Sequence, residues 1–351
     1  MKKLKWIFIV VFILIVVRAI LPSLLKNRIN KQLSSIDGYH GSVEDVDLAL
    51  YRGGFRIHDL RLIEEQSLSD TIPLVNLEML DFSIEWRSIF DGKFVGEVYF
   101  TDLDINFVKR AKVEEDDVKS SRAELIKEIQ SFNPIHINIL EVKSGSVSYK
   151  DPTTEPKISI SLDSIYLKAE NLRNVHQPGQ KLPAHVLFKS SNADGMVSSL
   201  DADLNYLVDP PNFDIDFELE NLDIVRFNEI TESKAGLDME KGTFHLFMEM
   251  HAKDGKIDGY SKPIIKNLKI APADSSDGLI DKVYEEIVEV GTGILENNKK
   301  DQIASKIPIS GTLKAQDPDV SESVWNLFKN AFVEAYTMRL DESIKALSDN
   351  D

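Results

Sequence analysis

Four Asp-x-Asp pairs, Asp45/Asp47, Asp102/Asp104, Asp201/Asp203 and Asp214/Asp216, are the residues whose type and spacing come nearest to chemistry. Two carboxylates two positions apart could share a proton or hold calcium. Each pair, however, lies in a segment where polar and apolar residues alternate, and there positions i and i+2 share one face of a strand. A hydrated outer surface accounts for them. The seven histidines, among them His58, His136, His245 and His251, show no metal-ligand spacing such as His-Glu-x-x-His. No Gly-x-Ser-x-Gly elbow, phosphate loop or dinucleotide fingerprint occurs. With no cysteine in the chain, disulfides, thiolate nucleophiles and sulfur-ligated metals drop out. Lys262 and Lys266 flank Pro263 and Ile264 and could meet a phospholipid headgroup, with solvated lysines as the simpler account. These residues point to a protein that is not an enzyme and needs neither metal nor cofactor.

The elements that carry these residues start with a basic, then apolar, N-terminus. Lys2, Lys3 and Lys5 precede the apolar run from Trp6 to Val17, which includes Phe8, Phe12 and Leu14. Arg18 interrupts it before Ala19, Ile20, Leu21, Leu24 and Leu25. As a helix, Leu4–Leu25 would be roughly 33 Å long, enough to cross a bilayer. A cleaved signal peptide has a similar layout, but no small-x-small cleavage site follows here. Residues 1–25 are thus expected to be a transmembrane anchor, with Arg18 snorkelling from its C-terminal end. The lysines before the span place the N-terminus in the cytoplasm and the body outside. Leu24, Leu25, Ile29, Leu33 and Ile36 then recur at helical spacing, which predicts an amphipathic stalk on the membrane surface, ended by Ser34, Gly38 and Gly41.

From about residue 42 the apolar period changes to two, the signature of strands. Residues 26–110 read as the stalk and a first β region. Val46, Leu48 and Leu50 lead into a Tyr51–Gly54 turn, and Phe55, Ile57, Leu60 and Leu62 return. The apolar phase slips near His58 and Asp59, at Met79 to Leu80 and at Thr101 to Leu103, as β-bulges would cause. A short turn is expected at Arg87–Gly92, between Leu74–Trp86 and Phe94–Val108. Residues 111–133, with Glu114, Glu115, Asp116 and Asp117 in a row, read as an acidic linker and a short helix. A second β region covers 134–275, and its clearest strand is Phe213–Ile224. There Phe213, Ile215, Phe217 and Leu219 point one way and Asp214, Asp216, Glu218 and Glu220 the other. A final hairpin is expected around Asp254 and Gly255. Residues 276–351 read as two amphipathic helices, Leu279 to Ile294 and Val324 to Tyr336, with one strand between them.

The expected fold is mainly β: a long curved antiparallel sheet, in trough or half-barrel form, with an N-terminal transmembrane helix and C-terminal amphipathic helices. A sheet with one oily face must hide it, because each Phe, Ile or Leu left in water forgoes about 1.5–3 kcal/mol. A second sheet, the C-terminal helices or the acyl chains of a bound lipid could do so. The net charge of −17 argues against nucleic acid or an anionic lipid surface as the main partner of the body.

The anchor, Ile29 to Leu33, and the run Gly41-Ser-Val-Glu-Asp-Val-Asp-Leu-Ala-Leu-Tyr-Arg-Gly-Gly-Phe-Arg-Ile-His-Asp-Leu-Arg-Leu resemble the start of bacterial AsmA-like envelope proteins. The run Phe213 to Ile224, Glu240-Lys-Gly-Thr-Phe to Met250, Gly259-Tyr-Ser-Lys-Pro-Ile-Ile-Lys-Asn-Leu, and Ile307-Pro-Ile-Ser-Gly-Thr-Leu with Asn330-Ala-Phe-Val-Glu-Ala are similar to a branch of that family with no assigned function. The resemblance implies a single-pass inner-membrane protein with a periplasmic body shaped as an apolar trough. It also implies lipid shielding or transfer in support of envelope or outer-membrane biogenesis. Membrane lipid, phospholipid above all, is then the expected partner, and an envelope protein a further one. The expected groove residues are Ile158, Ile160, Leu162, Phe213, Ile215, Phe217 and Leu219. The alternative is a non-catalytic envelope scaffold or adaptor whose β core is filled by side chains.

Overall fold

The computed structural model describes residues 2–36, 38–49, 52–64, 72–90, 94–108, 135–154, 157–173, 179, 181–229, 237–272, 302–304, 306–313 and 326. The acidic segment and helix expected within 111–133, and the two C-terminal helices, lie outside these residues. The chain forms two compact units, Met1–Thr153 with Ser161–Asn174, and Thr154–Ile160 with Val175–Asp351. Both are mainly β, and among the described residues the strands do not close into a barrel.

The first unit opens with helix α1 (Lys2–Leu33) and continues through β1 (Tyr39–Ser42), β2 (Asp45–Ala49), β3 (Gly54–Glu64), β4 (Val75–Ile84), the short helix α2 (Trp86–Phe90), β5 (Phe94–Val108), β6 (Ile135–Val142) and β7 (Gly145–Asp151). Strand β8 (Ile158–Leu162) straddles the division of the chain, and β9 (Tyr166–Arg173) completes the unit. Strands β1 and β2 both pair with β3, and the order then runs β3, β4, β5, β6, β9. Helix α2 takes up Arg87–Phe90 of the turn expected at Arg87–Gly92.

The sheet is mixed, which corrects the expectation of an antiparallel one. Strand β5 runs parallel to β6, with Phe94 beside Ile135, and parallel to β7, with Leu103 beside Gly145. Parallel neighbours need a long crossover. The stretch of chain between β5 and β6, residues 109–134, is long enough for one.

Helix α1 also departs from expectation. Its C-terminal half does not lie free as a stalk: Leu25, Ile29 and Leu33 pack on Val43, Val46 and Ile57. An apolar stripe at helical spacing fits a sheet as well as it fits a lipid surface, and here the sheet takes it. Within the contact the Asn30 Oδ1 accepts from the Val43 backbone N–H at 2.7 Å, and its Nδ2 donates to the Val43 carbonyl at 3.3 Å. Each bond returns about 1 kcal/mol, whereas an unmet buried amide group would cost about 1–3 kcal/mol. Gly41 permits the approach, because a Cβ there would stand 2.6 Å from the Leu33 Cβ. Among the described residues no helix is long and apolar enough to cross a membrane; from Lys2 to Ala19, side chains are described at Trp6, Ile9 and Arg18.

The slips of apolar phase fall on one transverse line. Ile57 pairs with Leu80 and Leu80 with Phe100, while Leu60 pairs with Leu77 and Leu77 with Leu103. All three strands carry their extra residue at the same level, so the register is kept and the sheet is creased. Asp59 and Asp102 sit on this line in the left-handed region, φ 50° each, which Asp tolerates better than most residues.

The second unit holds β10 (Ala184–Ser191), β11 (Val197–Asn205), β12 (Asn212–Asp223), β13 (Leu237–Lys253), β14 (Lys256–Pro272), β15 (Gln302–Ala304) and β16 (Ile307–Thr312). All pair antiparallel in sequence order, with β15 and β16 both on the outer edge of β14. Strands β13 and β14 form the expected hairpin, turning at Asp254 and Gly255 with φ 50° and 80°. Here the crease is a true bulge: the β12–β13 register shifts between Leu219 and Leu222, and Asn221 lies at φ 57°.

Candidate functional site

Strand β12 alternates as its sequence dictates. Phe213 is buried at 5% exposure, Asp214, Asp216 and Glu218 are exposed, and Ile215, Phe217 and Leu219 are half-buried. Register extends the same face sideways. Phe213, Ile215 and Phe217 stand opposite Leu204, Ala202 and Leu200 of β11 and opposite Ala252, Met250 and Met248 of β13. One continuous apolar face therefore runs across three strands.

Its cover is graded. At the Phe213 end, Met250, Ala252, Ile257, Ile309 and Leu313 close a side-chain core, with Leu204, Ile215 and Met248 partly buried against it. The Leu313 N–H fastens this end by donating to the Gly255 carbonyl at 2.7 Å. Toward Phe217 and Leu219, with Leu200 and Leu246 beside them, the described residues leave the face half-buried.

The opposite face is anionic. Asp203 stands against Asp214, and Asp201 against Asp216, which in turn faces Glu249. Desolvation, then repulsion from Glu249, Asp214 and Asp201, holds the Asp216 carboxyl above its ordinary range. His185 Nδ1 lies 3.0 Å from an Asp203 oxygen and 3.6 Å from one of Asp201. The Tyr260 hydroxyl donates to Glu249, a bond that raises its own pKa, and the Lys306 Nζ lies 3.6 Å from its ring centre. Among the described residues no group of three or more His, Asp or Glu is placed to hold a metal ion.

His245 sits at the crease, 5% exposed. Burial first, and the charge of Lys266 second, lower its pKa, and the Asn221 N–H donates to its Nδ1 at 3.4 Å. The Glu220 carboxylate, 3.9 Å from the same nitrogen, acts in the opposite direction and is outweighed. Near the same crease, Asp194, Asn221, Asp223, Glu240, Lys241 and Thr243 line an open polar pocket of about 570 Å³. It is separate in chemistry from the apolar face.

The other expected groove residues spread along β8. Ile158 is buried at 5% exposure and belongs with Ile160 to the second unit, whereas Leu162 belongs to the first; Ile160 and Leu162 are half-buried. Four of the seven groove residues thus share one strand face, on β12.

Of the expected anchor residues, Trp6 is 68% exposed, and the side chains of Phe8, Phe12 and Leu14 lie outside the described residues. The Arg18 Nη1 donates to the Leu48 carbonyl at 2.9 Å, tying the helix to the end of β2. Three features escaped the sequence reading. Asn30 carried a faint signal, an amide at a position flanked by Ile29 and Leu33 in an apolar stripe. Asp102 forms its close carboxylate pair with Glu78 of the neighbouring strand, not with Asp104; the hydrogen bond and repulsion between them raise the Glu78 pKa. Trp86 lies with its indole against Gly53, where a Cβ would stand 3.2 Å from the ring.

No known protein-family model matches the chain, and no curated protein shows a significant sequence match to it.

Proposed function

We propose that the chain is a single-pass, inner-membrane, AsmA-like envelope protein that shields or transfers lipid on the apolar face of its β body in the periplasm. The observation that carries this reading is the graded cover along β12, from closed at Phe213 to half-buried at Phe217 and Leu219. A half-buried apolar strip beside a closed core gives an acyl chain a place to lie and a wall to stop against. Helix α1 supports the membrane part of the reading, with Trp6, Ile9, Ile20 and Leu24 all exposed. In this role lipid moves by partition, and no bond is made or broken. Phospholipid is the expected cargo, and α1 keeps the body beside the bilayer that donates or receives it.

The closed end of the face, with Ile309 and Leu313 inserted, favours a second reading in its own right, an envelope scaffold whose β core is filled throughout by side chains. One experiment separates them. A photo-crosslinking residue replacing Phe217 should capture phospholipid in cells. Capture of side chains from this chain alone would overturn lipid handling in favour of the filled core.

A further inference from the structure

The direction of α1 fixes which end of the first unit meets the membrane, if α1 anchors as proposed above. Asn30 bonds to Val43 and Arg18 to Leu48, so the helix runs antiparallel to β2. Its N-terminal half therefore leaves the sheet where β2 ends. Several connections converge at that end. Ala49 pairs with Gly54, Gly54 with Ser83 and Ile84 with Gly96, which brings the β2–β3 turn and α2 together. The Ile84 N–H donates to the Gly53 carbonyl at 3.1 Å, and the Glu85 N–H to the Val95 carbonyl at 2.8 Å.

Length removes any spacer. Leu4–Val17 is roughly 21 Å long as a helix, short of a hydrocarbon layer of about 30 Å. Filling that layer needs the run to about Leu25, and Arg18 to Leu25 already lies alongside the sheet. Ile20 and Leu24, in this overlap, are 52% and 58% exposed, so their apolar surface is turned away from the sheet. A bilayer that covers them must reach the level of Leu48 and the adjoining turns. At that level the Trp86 indole is 47% exposed, and Arg87 beside it is exposed as well. An indole with a neighbouring guanidinium suits the interface, where the ring meets glycerol and carbonyl groups and the cation meets phosphate.

We infer that the hairpin end of the first unit, with Trp86 and Arg87, rests in the phospholipid headgroup layer, so that the sheet begins at the membrane surface. This rests on the anchoring proposed above, and the test separates the two. The chain carries tryptophan at 6, 86 and 325. Trp6→Phe with Trp325→Phe leaves Trp86 as the sole emitter; Trp86→Phe with Trp325→Phe leaves Trp6. Each full-length variant is reconstituted into vesicles of phosphatidylethanolamine and phosphatidylglycerol containing lipid brominated near the glycerol end of its chains.

Trp86 should lose roughly half its emission, as expected for a ring in the interfacial layer. Quenching of Trp6 with unchanged Trp86 emission would overturn this inference and leave the anchor standing. Quenching of neither would overturn the anchor and the inference with it. Because the chain has no cysteine, Arg87→Cys carries a single spin label and gives an independent measurement on a chain with all its tryptophans. The label should be shielded from a water-soluble nickel reagent in vesicles, and full access to nickel would again overturn the inference.

Discussion

On the polar side of the first unit an arginine stands opposite the buried Asp81 carboxylate, whereas at the centre of the second unit's polar face carboxylates stand opposite carboxylates. In the first, Arg56 stands against Asp81, Asp81 against Tyr99, Tyr99 against Glu141 and Glu141 against Lys168. Arg52 and Arg56 both donate to Asp81. In the second, Asp203 faces Asp214 and Asp201 faces Asp216, with Glu249 next in line. Paired charges stabilise a register, and like charges opposite one another cost stability. The second face also disfavours contact with anionic surfaces.

The contrast breaks most sharply at Asp81, whose side chain is only 11% exposed. Burial pushes its carboxyl up, but the bonds and charges of Arg52 and Arg56 outweigh burial and hold it below the ordinary carboxylate range. Asp81→Asn leaves two guanidinium groups short of their acceptor and should cost the first unit about 2 kcal/mol, less than a fully buried pair because the arginines are partly hydrated. Since the native pKa is depressed, this stabilisation is present above the unfolded value of 3.8 and is lost as pH falls through the native one. Amide hydrogen exchange checks it. Protection in β3–β5 should fall while that of β10–β14 holds, and an equal change in both units would show that the faces are not separately stabilised.

In the second unit acid should act first through His245, as it should in the first unit through His136, whose pKa burial also lowers. The native pKa of His245 lies below the unfolded 6.5, so between these two values the unfolded chain binds the extra proton. Stability falls as pH drops from 6.5 to the native value and is level below it, as far as this group is concerned. Exchange from β12 and β13, corrected for intrinsic rates, should quicken in that window and stay flat in His245→Gln. An unchanged acid response in that variant would place the sensitivity elsewhere.

Much of this was legible in the sequence, for physical reasons. The Phe213 to Glu220 alternation has the period of a half-covered strand, and the phase slips at His58–Asp59, Met79–Leu80 and Thr101–Leu103 located the crease to within a residue or two. Asp254-Gly255 and Gly53 marked turns because few residues tolerate positive φ. Pairings beyond the local chain were not legible. Nothing local in β5 reveals that β6 and β7 lie parallel to it, since that depends on where the long acidic segment returns. The stripe Leu25, Ile29, Leu33 has the same spacing whether it meets lipid or β1–β3. Of the candidate groove, the β12 half followed from alternation. The β8 residues could not be assigned to a unit, because a short alternating strand records its faces but not its neighbours.

The smallest expected effect sharpens the comparison at its acidic side. Asp216→Asn removes the carboxylate that faces Asp201 and Glu249 at once. It should stabilise the second unit by about 0.5 kcal/mol, in line with exposed like-charge neighbours across strands. A raised native pKa means that the protonated form is the one the fold prefers, so the penalty is absent below the unfolded 3.8 and grows as pH rises through the native value. The gain of the variant should therefore be largest at neutral pH and low salt, shrink in high salt, and vanish in acid. Asp81→Asn in the first unit has the opposite sign at neutral pH, so thermal unfolding of the two variants side by side reads the charge pattern of each face directly. Destabilisation by Asp216→Asn at neutral pH would mean that a cation or a hydrogen-bond donor, not repulsion, governs the acidic face.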